Sequence, residues 1–443
     1  MRDTGPSPAM DSGTGTHGEV FDHRSPKRPG ADAGRELVPE AAPWADIQPD
    51  MLRLVLRLLP CFADRAGVRS VCHHWRAIAC SHGVAPPLPL LMLPKLRFSI
   101  FSSDGALTAV RRLPLPKELV ADGVRWMGSF QGWLVGVQPS KYCRGADGKC
   151  FLLNAFSHKV VHLPHLSAFN FFNYSCYTTS TLRIINGSGV LHCLVSAREY
   201  TMSFHNVVLS ASPDSGSKCI VAATSGMDTT KLALWRQGMR SWCVCKADCF
   251  AGRNDLAFYQ GKLYMLSRST LCLLAFEIEE DDRGVMVSHV EQCMVELRGC
   301  VDPIGKNYNL VEWRGKLLVI IRYSTTTTPD DERNILQVKV FSLDFSTNPC
   351  ALSQIHSLDG ECIFVDSCSS RSFPADLYDG VQGDIIYFLD DHNYYACFDP
   401  SYDTFVYNMR DGTVTPFAVE LSPGNFGAPE DNLAHPVWFF PSK

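Results

Sequence analysis

The sequence has no uninterrupted apolar run of roughly 18 residues or more, so it contains no candidate for a membrane-spanning helix. Its N-terminus also lacks the apolar stretch of a secretory signal, and we expect the protein in the cytoplasm, the nucleus or both. In that reducing environment its 18 cysteines should be thiols. A formal net charge of −5 is small for 443 residues, which argues against general electrostatic binding to nucleic acid or an acidic membrane.

The motifs of the common catalytic and metal sites are missing as well. There is no Gly-x-Ser-x-Gly turn, no phosphate-binding P-loop and no glycine-rich dinucleotide turn. Cysteines and histidines cluster between Cys72 and His82, and cysteines again between Cys243 and Cys249, but neither spacing fits a standard zinc module. Small hydrophobic cysteines in a protein core explain both groups more simply. We therefore expect no catalytic residue, no metal and no cofactor.

Composition divides the chain into four parts. Residues 1–42 are rich in Gly, Ser, Pro, Asp and Arg, which predicts a disordered tail. Residues 43–82 carry the helical pattern described next, and residues 83–90 form a proline-rich linker that cannot continue a helix. Residues 91–443 have a strand pattern throughout. With 46% hydrophobic and 20% charged residues overall, most of the chain should fold.

The first helix is predicted to begin at Pro49, whose missing N–H costs nothing at a first helical position. Its apolar residues Leu52, Val55, Leu56 and Leu59 follow the helical spacing, and Pro60 ends it.

A second helix is predicted from about Asp64 to the end of the module. Its apolar stripe consists of Val68, Val71, Cys72, Trp75 and Ile78–Ala79, with the basic side chains, Arg65 among them, mostly elsewhere on the helix. Two short helices with such wide apolar faces cannot bury them within about 40 residues, so we expect a partner surface.

The segment Ile47-Gln-Pro-Asp-Met-Leu-Arg-Leu-Val-Leu-Arg-Leu-Leu-Pro60, followed by Arg69-Ser-Val-Cys-His-His-Trp-Arg76, resembles an F-box. The family motif opens with Leu-Pro-x-Asp-Leu-Leu and closes with Ser-Val-Cys-x-x-Trp-Arg. The closing part matches closely, whereas Ile47-Gln48 stands in place of Leu-Pro and Met51 in place of a Leu. The resemblance implies a module that packs onto a Skp-type adaptor and through it reaches a cullin scaffold.

By this resemblance, one set of residues is assigned to the adaptor contact: Pro49, Leu52, Val55, Leu56, Leu59, Val71, Cys72 and Trp75. The alternative is that they form only the core of a small helical cap on the rest of the protein. An ordinary cap would not reproduce the closing Val-Cys-x-x-Trp-Arg segment, which favours the adaptor contact.

After the linker, short apolar runs alternate with Gly, Asp, Ser and Asn turns, which is typical of strands. A weak repeat of an apolar residue, a polar residue, a glycine and then a strand recurs at intervals of roughly 54 to 74 residues, about the length of a propeller blade with a variable loop. The polar–Gly pair suits a tight hairpin turn with positive φ. The repeat occurs as Phe130-Gln-Gly-Trp-Leu-Val, Ile185-Asn-Gly-Ser-Gly-Val-Leu, Tyr259-Gln-Gly-Lys-Leu-Tyr, Trp313-Arg-Gly-Lys-Leu-Leu and Val381-Gln-Gly-Asp-Ile-Ile-Tyr.

A second recurring form is a strand, a polar turn and a strand, found in residues 151–163, 232–244 and 405–417. Four-stranded blades arranged radially would use both forms and protect their edges. The sequence therefore predicts a mainly β protein with a large β-propeller-like domain after the helices, its blade number open. A pair of β-sandwiches is the alternative. Five tryptophans, from Trp126 to Trp313, are expected to pack in its core, with exposed anchors as the alternative.

Four further segments of the β domain stand out: Val208-Leu-Ser-Ala-Ser-Pro-Asp214, Leu232-Ala-Leu-Trp-Arg236, Tyr259-Gln-Gly-Lys-Leu-Tyr264 and Pro436-Val-Trp-Phe-Phe-Pro441. With these segments, the β domain resembles the KIB-type, kelch-like C-terminal domain of a large family of plant F-box proteins. Together with the F-box, the resemblance covers nearly all of the chain after residue 44.

The combined resemblance implies the substrate receptor of a Skp–cullin–F-box ubiquitin ligase, in which this chain holds a target protein and catalyses nothing itself. Two other functions stay open. One is an F-box-like scaffold or inhibitor that does not act in a ligase, and the other is a ligand-binding or enzymatic module built on the propeller. The sequence does not identify the target protein or the residues that bind it.

Overall fold

The computed structural model describes residues 44–59, 62–81, 89–93, 97–101, 107–112, 124–138, 149–164, 169–175, 183–185, 204–225, 231–246, 254–267, 272–282, 284–294, 305–324, 335–347, 349–366, 369–377, 381–390, 403–416 and 437–441. The predicted tail and six of the eight residues of the predicted linker lie outside these residues. The last linker residue, Leu90, is the first residue of a strand. Ten cysteines of the described part are free thiols.

Three α-helices occupy the described part of the helical module: α1 (Pro49–Leu58), α2 (Phe62–Val71) and α3 (His73–Ala79), after a 3₁₀ turn at Trp44–Asp46. Pro49 is the first residue of α1, as predicted, and Leu59 has an extended backbone that ends the helix. None of the described helices has the length and apolarity needed to cross a membrane.

The prediction of a single second helix is wrong, because the helical backbone is interrupted at Cys72. Its backbone is extended, with a φ of −158°, which no α-helical residue adopts. The Cys72 Sγ accepts a hydrogen bond from the Trp75 N–H at 3.4 Å, so the thiol caps the start of α3. Cys72 therefore separates two helices instead of lying within one.

The three helices share a small apolar core. Leu52, Leu56, Val68, Ile78 and Ala79 are buried in it, with Ile47, Leu59 and Trp75 packed against it. Arg65 is also buried, contrary to its predicted place away from the apolar stripe. Its Nε donates a hydrogen bond to the Leu59 carbonyl oxygen at 2.7 Å, which joins α2 to the end of α1.

The described strands form six sheets, which we number as blades in chain order. Blade 1 contains β1 (Leu90–Leu93), β2 (Arg97–Phe101), β3 (Leu107–Arg112) and the C-terminal β27 (Val437–Phe439). Blade 2 contains β4 (Arg125–Phe130), β5 (Trp133–Gln138), β6 (Lys149–Asn154) and β7 (Val160–His162). Blade 3 contains β8 (Phe169–Ser175), β9 (Arg183–Ile185), β10 (Phe204–Leu209), β11 (Ile220–Ser225), β12 (Lys231–Arg236) and β13 (Trp242–Lys246).

The remaining three sheets complete the series. Blade 4 contains β14 (Asn254–Tyr259), β15 (Lys262–Ser267), β16 (Cys272–Asp281) and β17 (Gly284–Met294). Blade 5 contains β18 (Gly305–Trp313), β19 (Lys316–Ser324), β20 (Ile335–Asp344) and β21 (Ala351–Ile355). Blade 6 contains β22 (Glu361–Val365), β23 (Ser370–Pro374), β24 (Ile385–Asp390), β25 (Asp403–Asn408) and β26 (Val414–Pro416).

Each blade packs against the next through an apolar cluster, and the last blade packs against the first. Five clusters join consecutive blades from 1 to 6. A sixth cluster joins Leu91 and Trp438 of blade 1 to Phe364 of blade 6, which closes the ring. The β-propeller prediction is therefore confirmed and the paired sandwiches are wrong. Trp126, Trp133, Trp235, Trp242 and Trp313 are all buried, as predicted.

The inner strands of the propeller lie at one edge of each sheet, and from β27 of blade 1 to β23 of blade 6 each contacts the next. They are β27, β4, β10, β14, β18 and β23. Polar side chains bond these inner strands to one another. Asp255 on β14 accepts from the Asn206 Nδ2 at 2.7 Å and from the Leu310 N–H at 2.6 Å, so one carboxylate joins blades 3, 4 and 5.

Similar bonds hold the C-terminal strand in place. Asp366 accepts the Trp438 N–H at 2.8 Å, and the Asn309 Nδ2 donates to the Asp366 carbonyl oxygen at 3.2 Å. The Ser129 hydroxyl donates to the Trp438 carbonyl oxygen and accepts from the Phe440 N–H, both at 2.8 Å. Strand β27 is thus fixed to blades 6 and 2 on either side.

Three of the predicted polar–Gly turns have the expected backbone. Gln131-Gly132, Gln260-Gly261 and Arg314-Gly315 have positive φ at both residues and connect the inner strand of a blade to the next strand. The turn at Asn186-Gly187 lies outside the described residues. At Gln382-Gly383 the prediction is wrong, since the positive φ of 66° falls on Asp384 instead.

Gly383 has a different reason to be glycine. A Cβ atom there would lie 2.7 Å from the Gly360 Cα, too close for any side chain. The glycine therefore permits two backbone segments of blade 6 to approach each other. The second predicted hairpin form is confirmed in all three places, as β6–β7, β12–β13 and β25–β26.

Candidate docking surface on the helical module

Most exposed large apolar side chains of the described residues lie on the helical module. Eight such side chains are exposed, and only Met286 and Leu377 lie on the propeller, in different blades. The other six are Trp44, Met51, Leu54, Val55, Leu58 and Val71. Single exposed apolar residues are ordinary on a protein surface, but a group of them marks an interaction site. The helical module is therefore the strongest candidate for a docking surface.

The inner side of α1 belongs to the core of the module. Leu52 and Leu56 are 0% and 1% exposed, and Leu59 packs against the same core just after the helix ends. These residues hold α1 on α2 and α3. A partner protein does not reach Leu52 or Leu56 while the module is folded as seen.

A second side of α1, next to the buried one, is apolar as well. Met51, Leu54, Val55 and Leu58 follow the same i, i+3, i+4, i+7 spacing, and their exposed fractions are 54%, 51%, 38% and 67%. We call these four residues the outer face. An apolar stripe on a helix surface is normally buried against another element. The outer face is exposed among the described residues, which fits a surface that a partner covers.

The loop between α2 and α3 adds further residues from the predicted contact. Val71, the last residue of α2, is 58% exposed. Cys72 is partly buried and caps α3, and Trp75 is partly buried against the core of the module. The His74 imidazole lies 3.2 Å from the Ile47 carbonyl oxygen and so contacts the segment before α1.

The eight residues predicted from the resemblance therefore divide between core and surface. Leu52, Leu56, Leu59 and Trp75 support the module, Cys72 caps a helix, and Pro49, Val55 and Val71 are exposed. Their role in binding an adaptor stays a prediction. Sequence reasoning missed three residues of the outer face, Met51, Leu54 and Leu58. The sequence did contain a signal for them. The positions of the outer face have the same helical spacing as Leu52, Val55, Leu56 and Leu59, shifted by one residue toward the N-terminus.

Burial makes four of the described cysteines poor candidates for nucleophiles. Burial raises the pKa of the Cys219 thiol to about 11, although a hydrogen bond with the Ala211 backbone lowers it, and raises those of Cys293 and Cys362 to about 12. Burial likewise raises the pKa of Cys150, so these thiols are protonated at neutral pH. Cys243 differs, because a hydrogen bond with Cys245 lowers its pKa against the effect of burial. Both side chains lie in the core between blades 3 and 4.

Within the described part of the chain, no three His, Cys, Asp or Glu side chains are arranged to hold a metal ion. In the cysteine and histidine cluster between Cys72 and His82, which does not fit a zinc module, the first residue has a structural role: the Cys72 thiol caps α3. His82 itself lies outside the described residues.

Several solved structures are remotely similar to the chain. They include an α-L-arabinanase of Penicillium chrysogenum, 10% identical, with 68% of this chain and 79% of that one covered at a TM-score of 0.27. An α-L-arabinofuranosidase of Fusarium graminearum is 8% identical, with 66% and 76% covered at 0.26. AztD from Citrobacter koseri is 10% identical, with 79% and 96% covered at 0.28. TM-scores this low support no inference about fold or function.

No curated protein matches the chain. The decisive comparison is with protein-family models, where the KIB1-4 beta-propeller model matches residues 98–408. The match spans more than half of the chain and includes blades 2 to 5 entirely, about half of blade 1, and all of blade 6 except β26. It agrees with the ring of sheets described above. The chain therefore belongs to the KIB1-4 beta-propeller family.

Proposed function

We propose that this chain is the substrate-receptor subunit of a Skp–cullin–F-box ubiquitin ligase, similar to plant F-box proteins with a KIB-type propeller. The observation that carries the proposal is the outer face of α1. It is an exposed apolar surface within the segment that resembles an F-box, where a Skp-type adaptor would dock. The four residues of the outer face would form the apolar centre of the interface, as is typical of the cores of stable protein interfaces.

The propeller supplies the second half of the proposed function. It is a β-propeller of the KIB1-4 family, a fold consistent with a protein-interaction module. We assign it the binding of the target protein, in the cytoplasm or the nucleus.

The mechanism is proximity. The adaptor and cullin would hold a ubiquitin-charged conjugating enzyme near a target that the propeller binds. Holding two reactants in one assembly replaces a bimolecular encounter with a reaction at high effective concentration. A receptor of this kind supplies no nucleophile, and this chain would contribute binding and orientation alone.

The proposal is tested by binding of the full chain to a purified Skp-type adaptor. Leu58→Asp places a charge on the outer face, where the side chain is 67% exposed, so the module should stay folded. We expect the affinity to fall by about thirtyfold or more, since losing an interface anchor costs roughly 2 kcal/mol or more. Met286→Asp is the matched control, because it changes an exposed apolar residue of the propeller and should bind as the wild type does.

Leu52→Asp is not suitable for this test, because Leu52 is fully buried and its replacement would unfold the module. If the folded wild-type chain does not bind the adaptor, the ligase function is wrong and a non-ligase scaffold or a propeller ligand-binding module takes its place. If Leu58→Asp binds like the wild type, the outer face is not the docking surface.

A further inference from the structure

One edge of the outer face carries charge. On a helix with 100° between residues, Asp50, Arg53 and Arg57 lie side by side, between Leu54 of the outer face and Leu56 of the buried side. Asp50 and Arg53 already have partners within the module. The Arg53 Nη1 lies 2.9 Å from the Asp50 Oδ1, and its Nη2 donates to the Ser81 hydroxyl at 3.3 Å.

Arg57 is the third charged residue of this edge. It is exposed, and its guanidinium makes no ion pair or hydrogen bond with any residue in the described part of the chain. It follows Leu54 by three positions, so the two side chains are neighbours on the helix surface and Arg57 lies at the rim of the outer face. Arginine is enriched at protein interfaces, where it pairs with carboxylates.

The surrounding charge has the same sign. Between Trp44 and Ser81 the sequence contains five arginines, three aspartates and no lysine or glutamate, whereas the whole chain has a net charge of −5. The helical module is thus a positively charged part of an otherwise negative protein. An acidic partner would be attracted to this module and repelled by much of the rest.

We propose that the partner of the outer face carries carboxylate groups at the edge of its apolar groove, opposite Arg57, and that these charges accelerate association. This inference rests on the proposed function, since it names the chemistry of the adaptor surface. Charge pairs at the rim of an interface change mainly the association rate and its salt dependence, whereas apolar anchors change mainly the dissociation rate. Arg57 and Leu58 therefore have separable effects.

A purely structural role for Arg57 makes a different prediction. Arg57 lies in the last turn of α1, where a cation interacts favourably with the helix dipole. In that role its replacement would lower helix stability slightly and leave the association rate unchanged. The two roles are distinguished by kinetics rather than by stability.

The experiment measures association of the full chain with a purified Skp-type adaptor at ionic strengths from about 20 to 500 mM, over which the Debye length falls several-fold. We expect Arg57→Glu to slow association at low salt on the order of three- to tenfold and to weaken the salt dependence. The two rates should converge at high salt. Arg57→Lys keeps the charge and should associate like the wild type. Lys149→Glu makes the same change of net charge on an exposed residue of blade 2 and should have little effect.

Arg57→Gln serves as a second variant if the reversed charge disturbs the helix, and it should show part of the same effect. The wild type could bind while Arg57→Glu and Arg57→Gln associate at the wild-type rate at every salt concentration. The inference would then be wrong, and the proposed function would stand. If the folded wild type does not bind at all, both are wrong.

Discussion

Asp384 is a buried carboxylate whose hydrogen bonds join separate segments at one end of blade 6. Its Oδ1 accepts from the Leu358 N–H at 2.6 Å and the Ser357 hydroxyl at 2.9 Å, and its Oδ2 accepts from the Arg410 Nε at 2.9 Å. Burial alone raises the pKa of Asp384, but the hydrogen bonds from Leu358, Arg410 and Ser357 outweigh it and hold the pKa below its ordinary value of 3.8. Folding therefore stabilises the ionised form.

Asp384→Asn should lower the free energy of unfolding at pH 7 by about 1–3 kcal/mol, because the amide does not satisfy all three donors. Since the folded-state pKa is depressed, the stabilisation from ionised Asp384 is present above the unfolded pKa near 3.8 and is lost as the pH falls further, through the folded pKa. The difference between wild type and variant should thus shrink in acid. Urea denaturation at pH 7 and at successively lower pH measures it, with exposed Asp282→Asn as control. A difference that stays constant with pH would contradict the assignment.

The leucines of α1 show what residue patterns predict and what they leave open. Leu52 and Leu56 were expected at the adaptor contact, yet they are buried in the module, while Leu54 and Leu58 are exposed. Both sets have helical spacing, so the sequence of α1 alone does not say which set faces inward. The choice depends on how α2 and α3 pack against α1, and that packing changes when Cys72 divides one predicted helix into two.

At the scale of elements, the division at Cys72 reverses the expected ranking of substitutions there. In a continuous helix alanine stabilises more than serine, whereas at a helix cap serine stabilises more than alanine. Cys72→Ser should therefore raise the stability of α3 by about 0.5–1 kcal/mol, since a hydroxyl oxygen accepts the Trp75 N–H more strongly than sulfur does. Cys72→Ala should lower it.

Hydrogen exchange of the α3 amides in the full chain measures this ranking. Cys80→Ser is the control, because Cys80 is exposed and follows α3. Greater protection in the alanine variant than in the serine variant would mean that α2 and α3 form one helix in solution.

The turns between strands were predictable where only local chemistry decides them. A polar residue followed by glycine adopts positive φ at low cost, and this alone specifies the hairpins at Gln131, Gln260 and Arg314. The turn before β24 was misassigned because Gly383 is required by its close contact with the backbone of Gly360, which is 23 positions earlier in the chain. A contact between residues so far apart in the chain cannot be predicted from the local sequence pattern.

At the scale of the whole molecule, the pattern of turns predicted a propeller but not how it closes. The segment around Trp438 was recognisable as a family feature, but its place beside β1 depends on pairing across more than 300 residues. The closing strand is short, only Val437–Phe439, so its position depends heavily on side-chain bonds and buried aromatic rings. Asp366 and Ser129 provide those bonds from the blades on either side.

Removing one of these bonds should loosen the ring at its closure. Asp366→Ala leaves the buried Trp438 N–H without its carboxylate partner, which should lower the free energy of unfolding by about 1–3 kcal/mol. Because the bond holds β27, hydrogen exchange should increase first in residues 437–440 and in the facing strand β1, before blades 3 and 4 are affected. Asp282→Ala, at the exposed turn of blade 4, is the control. Uniformly faster exchange in all six blades would show instead that the ring opens as one cooperative unit, with no separate closing step.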